Sequence, residues 1–189
     1  MSIVRGAAAR RWAAAAAGAA LVAAAWCVAL VTPTEDDAVL PFVTTMQLGE
    51  QADGRNLAVT LLDVHRADSV IAGGWSADGN WIVIDLDAEA IDEESGALVA
   101  LATLQVGGAT YQASERPESL FERPLYAGLP QSGSLAFELP AAVSGGTAVL
   151  HLGLHSDPRL DTLMEAEFDL GALPVESDVE MIPTGWSGR

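Results

Sequence analysis

The sequence predicts an all-β domain, an antiparallel β-sandwich of seven or eight strands, preceded by one N-terminal transmembrane α-helix. Residues 12–31 contain no charged side chain. Twenty residues rising 1.5 Å each span about 30 Å, which is the thickness of the hydrocarbon core of a bilayer. From residue 43 onward, apolar and polar residues alternate with a period of two. This alternation is typical of strands with one buried face and one exposed face.

The N-terminal end of the apolar segment carries the positive charges that orient a membrane helix. Arg5, Arg10 and Arg11 precede the segment, and the acidic run 35–37 follows it. The positive-inside rule therefore predicts a cytoplasmic tail at residues 1–11 and an extracytoplasmic location for the rest of the chain. A cleaved signal peptide is the alternative. The apolar run is longer than the usual 7–15 residues of such a peptide, and no A-x-A site ends it.

The charges differ strongly between the two parts of the chain. The 189 residues include 9 basic and 26 acidic side chains, for a net charge of −17. Residues 33–189 hold six of the arginines and all the acids, so the exported part carries −20. This excludes a nucleic-acid binder and a domain that docks electrostatically on anionic lipid. Cys27 is the single cysteine and lies in the apolar segment, so the exported domain has no disulfide.

The exported part divides into three predicted segments. Residues 32–42 form a short acidic linker, which at about 3.3 Å per residue keeps the domain near the membrane. Residues 43–172 form the sandwich, and residues 173–189 form an extended or disordered C-terminal tail. The clearest strand is residues 80–90, where an apolar face from Ile82 alternates with an acidic face from Asp85. Turn dipeptides separate such runs, at Asp53-Gly54, Asp78-Gly79 and Gly107-Gly108.

Three motifs in this order resemble a known family. They are Trp81-Ile82-Val83-Ile84-Asp85-Leu86, the hairpin at 104–111, and the run 128–140 that contains Phe137-Glu138-Leu139-Pro140. The order is similar to that of a bacterial (actinobacterial and Gram-positive) immunoglobulin-like domain family of unknown function, related in fold to a secreted mycobacterial immunogenic protein. The resemblance covers about residues 55–170 and departs from the family pattern at 88–90. It implies an extracytoplasmic Ig-like sandwich and supplies no active site.

The sequence offers two possible metal sites, and neither is expected to bind a metal ion. His151 and His155 lie four residues apart on a predicted strand, about 13 Å from each other, which is too far to share one zinc ion. The acidic faces 85–89 and 165–169 would offer oxygen ligands to Ca²⁺ if their strands were neighbours. We expect solvated acidic faces there instead, and no cofactor.

Catalysis is not expected either. Gly74-Trp75-Ser76-Ala77-Asp78 lacks the final glycine of a nucleophile elbow and is not followed by a helix. The exported domain has no cysteine nucleophile. The sequence therefore predicts a protein that is not an enzyme.

Residues 114–130 form the longest irregular stretch and the best candidate for a partner-binding loop. Arginine and aromatic residues are enriched at interface hot spots, and the loop contains Arg116, Phe121, Arg123 and Tyr126. The interpretation that we favour is a crossover between sheets, in which Phe121 and Tyr126 fill the end of the sandwich, and the two interpretations are compatible.

Together these features predict a single-pass membrane protein that displays an Ig-like binding module of the bacterial cell envelope. Its expected partner is a protein or another envelope component. Two alternatives stay open at this point: a cleaved, secreted protein of the same fold, and an accessory subunit of a membrane complex. In the second case, the Ala-rich helix with Gly18 would pack against a neighbouring helix.

Overall fold

The structure is a computed structural model that describes residues 3–32, 39–91 and 97–188, with side chains from residue 12 onward. The chain divides between Val39 and Leu40 into two compact units. Most of the predicted linker, residues 33–38, lies outside the described residues.

The N-terminal unit is one long helix, α1 (Ile3–Val31). Its residues Trp12–Val31 are apolar on every side and none of this stretch is buried. A helix that is hydrophobic all round is typical of a membrane span, and its length is sufficient. Residues 3–11, the part of the predicted cytoplasmic tail that the structure describes, are helical. At the other end, the Thr32 hydroxyl donates to the Val28 carbonyl at 2.7 Å, which closes the last turn.

The second unit is a β-sandwich. Eight of the strands in the part of the chain that the structure describes have four or more residues, in agreement with the seven or eight predicted. The others have two or three residues. The strands are β1 (Phe42–Thr45), β2 (Gln51–Asp53), β3 (Leu57–Ala72), β4 (Trp75–Ala90), β5 (Ala97–Leu98), β6 (Leu101–Val106), β7 (Ala109–Gln112), β8 (Pro124–Leu125), β9 (Gln131–Leu139), β10 (Thr147–Gly153), β11 (Thr162–Asp169), β12 (Val175–Glu176), β13 (Val179–Glu180) and β14 (Gly185–Trp186).

Two large sheets form the layers of the sandwich. One has five strands in the order β1-β11-β10-β6-β7. The other has seven, in the order β12-β3-β4-β9-β14, with β2 and β13 also paired to β3. The 16-residue strands β3 and β4 form a hairpin at the centre of the larger sheet, with register shifts at Leu62 and Asp68 that mark β-bulges. A small sheet of β5 and β8 lies beside them.

The main core lies between the two sheets. The alternation in β4 places Ile82, Ile84 and Leu86 in it, where they pack with residues of the other sheet such as Leu104 and Leu150. All five are fully or almost fully buried. Burying a side chain of this size contributes about 1.5–3 kcal/mol, so this shared core accounts for the folding of a domain without disulfides.

The C-terminal residues are part of the sandwich, which corrects the prediction of a tail at 173–189. β13 pairs with β3, and β14 pairs with β9, on opposite sides of β4. Residues 179–186, here called the C-terminal strap, therefore cross the outer face of β4. The Met181 amide donates to the Ile71 carbonyl at 2.8 Å, and the Ile182 amide donates to Ser134 Oγ at 2.8 Å. An extended segment without strong alternation is ordered here because it satisfies its backbone groups on two sheet edges.

The strap closes a second, smaller core on the outer face of the larger sheet. Trp81, Val83 and Ala136 project from β4 and β9 and pack against Val179 and Met181. All five side chains are buried. This sheet is therefore covered on both faces over much of β4, unlike a sheet with one solvated face.

This second core explains why the expected solvated acidic face on β4 is wrong. Asp85 and Asp87 are both buried. Asp85 accepts a hydrogen bond from Ser134 Oγ at 2.5 Å, and Asp87 accepts one from Ser132 Oγ at 2.5 Å. A buried carboxylate is costly without such partners, and the neighbouring strand β9 supplies them. β4 and β11 belong to different sheets, so their acidic faces are not neighbours and do not form the conditional Ca²⁺ site.

Candidate functional site

The 114–130 loop is held against the sandwich at several points. The Ser114 amide donates to the Ala136 carbonyl at 2.7 Å, and the Leu120 amide donates to the Ser134 carbonyl at 3.1 Å. Further along, β8 pairs with β5. The loop is thus an ordered crossover with fixed backbone, so the positions of its side chains are set by the sheet edges.

Phe121 fills the core and is not available as an interface residue. Only 7% of its surface is exposed, and it belongs to the main core together with Leu120 and Leu125. Its amide donates to Ser119 Oγ at 3.2 Å. The partner-binding prediction is therefore wrong for Phe121, because the crossover uses this ring to close the end of the sandwich.

Arg116 ties the start of the loop to the outer face of the larger sheet. Its guanidinium lies 5.1 Å from the Trp81 ring centroid and 5.8 Å from that of Trp75. It also forms an ion pair with Glu138, and half of the side chain is exposed. The two indoles meet edge to face with centroids 6.0 Å apart. Arg116 is thus engaged by the sheet, and it is not among the residues that line a space with Tyr126.

The end of the loop and the end of the strap form a groove. Tyr126 is 41% exposed and Trp186 is 64% exposed, and their ring centroids lie 6.4 Å apart at an interplanar angle of 47°. Arg123 stands beside them and forms an ion pair with Glu118 at 2.5 Å. The space between these side chains is about 220 Å³, and we call it the Tyr126–Trp186 groove. Its lining residues are Glu118, Arg123, Pro124, Tyr126, Gln131, Thr184 and Trp186.

Backbone pairing fixes both aromatic residues in place. Tyr126 is bridged to Leu129, whose amide donates to the Tyr126 carbonyl at 3.3 Å. Trp186 pairs with Gln131, and the Ser187 amide donates to the Pro130 carbonyl at 2.8 Å. Two segments about sixty residues apart in sequence are therefore locked side by side. A surface that is ordered before binding loses less conformational entropy when a partner arrives.

Of the four loop residues predicted from the sequence, the structure brings Arg123 and Tyr126 together at this groove and places Phe121 and Arg116 elsewhere. Trp186 was missed as a site residue because it lies in the segment assigned to the tail. The available signal was an aromatic side chain in a stretch with Pro183 and Gly185 and few other apolar residues, which does not by itself indicate a sheet edge.

The three histidines each have their own carboxylate partners. His151 Nε2 lies 3.1 Å from Glu165, and His155 Nδ1 lies 2.5 Å from Asp161. His65 is paired with Glu176. Within the described ranges, no three or more His, Cys, Asp or Glu side chains are arranged to hold a metal ion. That the protein needs no metal or cofactor stays a prediction.

No protein-family model and no curated protein matches this sequence. Two solved bacterial structures are similar to it. One is a candidate lipoprotein from Staphylococcus aureus, with 10% identity, a TM-score of 0.44, and coverage of 72% of this chain and 99% of that chain. The other is an uncharacterized β-sandwich protein from Clostridium difficile, with 11% identity, a TM-score of 0.46, and coverage of 72% and 99%. The chain itself is a β-sandwich protein with one N-terminal apolar helix long enough to cross a membrane.

Proposed function

We propose that this protein is a membrane-anchored, extracytoplasmic Ig-like module of the bacterial cell envelope that binds an envelope component through the Tyr126–Trp186 groove. The observation that carries this proposal is the pair of exposed aromatic rings of Tyr126 and Trp186. Rings of this kind contribute large contact areas with few rotatable bonds, and they are enriched with arginine at binding hot spots. The motifs around Trp81 support the Ig-like envelope family as the relevant one.

The location rests on the helix and on the distribution of charge. The apolar stretch of α1 is long enough to span a bilayer, and the nearby positive charges all lie before it. The positive-inside rule then places the sandwich outside the cytoplasm. A cleaved, secreted product would have the same sandwich and groove, so binding does not depend on which of the two alternatives holds.

We propose binding without catalysis. The acidic side chain that lines the groove, Glu118, forms an ion pair with Arg123. The other polar groups of the groove include the Tyr126 hydroxyl and the Gln131 amide, and the Thr184 hydroxyl is buried. These groups suit hydrogen bonding to a ligand, and the lining residues do not include the second carboxylate or the histidine that usually completes a pair for general acid–base catalysis.

Photo-crosslinking in cells tests the proposal. A photoreactive phenylalanine analogue is placed at position 126 or 186, and at position 42 as the matched control, because Phe42 is also an exposed aromatic residue of the sandwich. We expect crosslinked envelope material from positions 126 and 186 and not from position 42. Equal yields at all three positions, or none at 126 and 186, would overturn the binding role of the groove.

A second pair of measurements tests the anchor. An alkaline phosphatase fusion after Arg189 should be active, and mass spectrometry should find the N-terminal segment still attached. Loss of the segment would establish the secreted alternative. Products crosslinked from a helix position such as Val22, together with none from the groove, would instead support the accessory-subunit alternative.

A further inference from the structure

We infer that the Tyr126–Trp186 groove takes a neutral carbohydrate, one sugar ring of an envelope glycan; the inference rests on the proposed function of this groove. Its size is the first argument. Pockets for drug-sized ligands are about 300–1,000 Å³, and this groove is about 220 Å³. It therefore fits one ring-sized group at a time, with the remainder of a longer chain lying outside it.

The composition of the lining is the second argument. Two of the seven lining residues are aromatic and four are polar, and none is Leu, Ile, Val or Met. A pocket that anchors an aliphatic side chain of a protein partner is ordinarily built from those missing residues. A pyranose ring has the complementary surface, since it presents C–H groups on its faces and hydroxyl groups around its edge.

The two aromatic rings match the faces of a sugar. The face of an aromatic ring is electron-rich and attracts partly positive hydrogens such as those of sugar C–H groups. Tyr126 and Trp186 are inclined by 47° and both are well exposed. Because their centroids are only 6.4 Å apart, the two rings contact each other and present one bent aromatic surface. One ring contacts a sugar face, and the second ring contacts the edge of the same sugar or its neighbour along a chain.

The polar residues match the hydroxyl groups at the edge. The Glu118 carboxylate accepts hydrogen bonds and the Arg123 guanidinium donates them, and their ion pair holds both groups at the rim. Gln131 Nε2 donates to the Pro124 carbonyl at 2.5 Å, which fixes the plane of its amide beside Tyr126. A donor and an acceptor held side by side suit two adjacent hydroxyl groups.

Charge selects a neutral glycan over an acidic one. Residues 33–189 carry a net charge of −20, and a field of this sign repels polyanions such as phosphate-rich polymers. Arg123, the basic residue of the groove, is already paired with Glu118 and does not offset that field. A proline-rich peptide is the rival ligand, because such peptides dock in aromatic-lined grooves. It would need further aromatic pockets beside the groove, whereas the adjoining space is lined largely by charged side chains, among them Glu115, Glu118 and Glu122.

Co-sedimentation of the full chain in detergent micelles tests this inference. The probes are chitin, amorphous cellulose and insoluble mannan, and a proline-rich decapeptide on beads is run in parallel. We expect retention on at least one polysaccharide, a drop in affinity of about tenfold for Tyr126→Ala and for Trp186→Ala, and recovery of most of it in Trp186→Phe. Phe42→Ala should bind as the unmodified chain does. Unchanged melting temperatures in the same micelles show that the variants are folded.

The failures of the two proposals are distinguishable. Binding to none of the three polysaccharides, polysaccharide binding that both alanine variants retain, or groove-dependent binding to the peptide would overturn the carbohydrate inference. If position 126 still crosslinks to envelope protein in cells, the proposed binding role of the groove stands even though the carbohydrate inference is overturned. If neither crosslinking nor polysaccharide binding is found, the proposed binding role of the groove and the carbohydrate inference are both overturned.

Discussion

Nδ1 of His65 lies 2.9 Å from Oε1 of Glu176, so an imidazole on β3 holds the short strand β12 against the larger sheet. Nε2 of the same ring lies 3.3 Å from Asp85 on β4 and 3.7 Å from Asp63 on β3. Three carboxylates from three strands thus surround one histidine. Burial lowers the pKa of His65, but the hydrogen bond to Glu176 and the negative charges of Asp63, Asp85 and Glu176 raise it more, so the net pKa is raised.

The raised pKa of His65 predicts a stability that decreases with rising pH. Because the folded-state pKa exceeds the unfolded value of about 6.5, the stabilisation is fully present below that pH. It is lost as the pH rises through the folded-state pKa. We expect the unmodified chain to exceed His65→Gln in free energy of unfolding by on the order of 1 kcal/mol at pH 5.5. Denaturant unfolding in detergent at pH 5.5 and 9 should show the difference shrink. If the two proteins differed in free energy of unfolding by the same amount at both pH values, the predicted effect of the His65 pKa would be contradicted.

Phe121 and Tyr126 should respond in opposite ways to truncation. Phe121→Ala empties a buried aromatic site and is expected to cost about 3–5 kcal/mol of folding free energy. Tyr126→Ala removes a partly exposed ring and should change stability by only about 0.5 kcal/mol. Thermal melts of the two variants against the unmodified chain measure both effects. Similar losses would show that Tyr126 also supports the core and is not primarily a binding residue.

Arg116 should contribute modestly to stability and not to the groove. Arg116→Ala removes the contacts with Trp81 and Trp75 and the ion pair with Glu138, for an expected loss of about 1 kcal/mol. Arg116→Lys should recover only part of the stability that Arg116→Ala loses, because an ammonium group lacks the planar stacking surface of a guanidinium group. Arg159→Ala, which removes an exposed arginine paired to Asp157, is the control and should be near neutral. Denaturant unfolding checks the order of the three variants.

Gly133 should tolerate no side chain. A Cβ there would lie 2.7 Å from Leu120 Cγ and 3.2 Å from Thr184 Oγ1 of the strap. Because Leu120 is fully buried, its side chain has little room to move, and we expect Gly133→Ala to cost about 1–3 kcal/mol. Gly74→Ala is the matched control, since a Cβ at Gly74 meets nothing within 4 Å. Equal melting temperatures for the two variants would contradict this account of the packing between loop, β9 and strap.

The alternation in β4 correctly predicted which side chains face the main core. Ile82, Ile84 and Leu86 repeat every second residue, and a period of two is a local property that survives whatever strands lie beside it. The same alternation placed Asp85 and Asp87 on the opposite face of β4, but it does not indicate which other segments of the chain cover that face. Burial of these two residues depends on serines of β9 and on a strap about a hundred residues away, and local sequence does not encode such contacts.

The sequence likewise predicted only part of the candidate site, because the rest depends on contacts between distant segments. Residue type and loop length were enough to select Arg123 and Tyr126. They also favoured the crossover interpretation of Phe121 without excluding the interface interpretation, because an aromatic residue in a long crossover satisfies either one. Trp186 completes the groove through two backbone pairs with β9, and pairing between short edge strands has weak sequence signals.

The strap also imposes an order on biosynthesis. Met181 is translated about 100 residues after Trp81, which at about 5–20 residues per second corresponds to a delay of about 5–20 s. Throughout that interval the indole of Trp81 and its neighbour Val83 have no cover from the strap, and Ala136 has none from the time β9 is made. The nascent domain therefore exposes an apolar surface, which chaperones and other chains can bind, until the strap has been made.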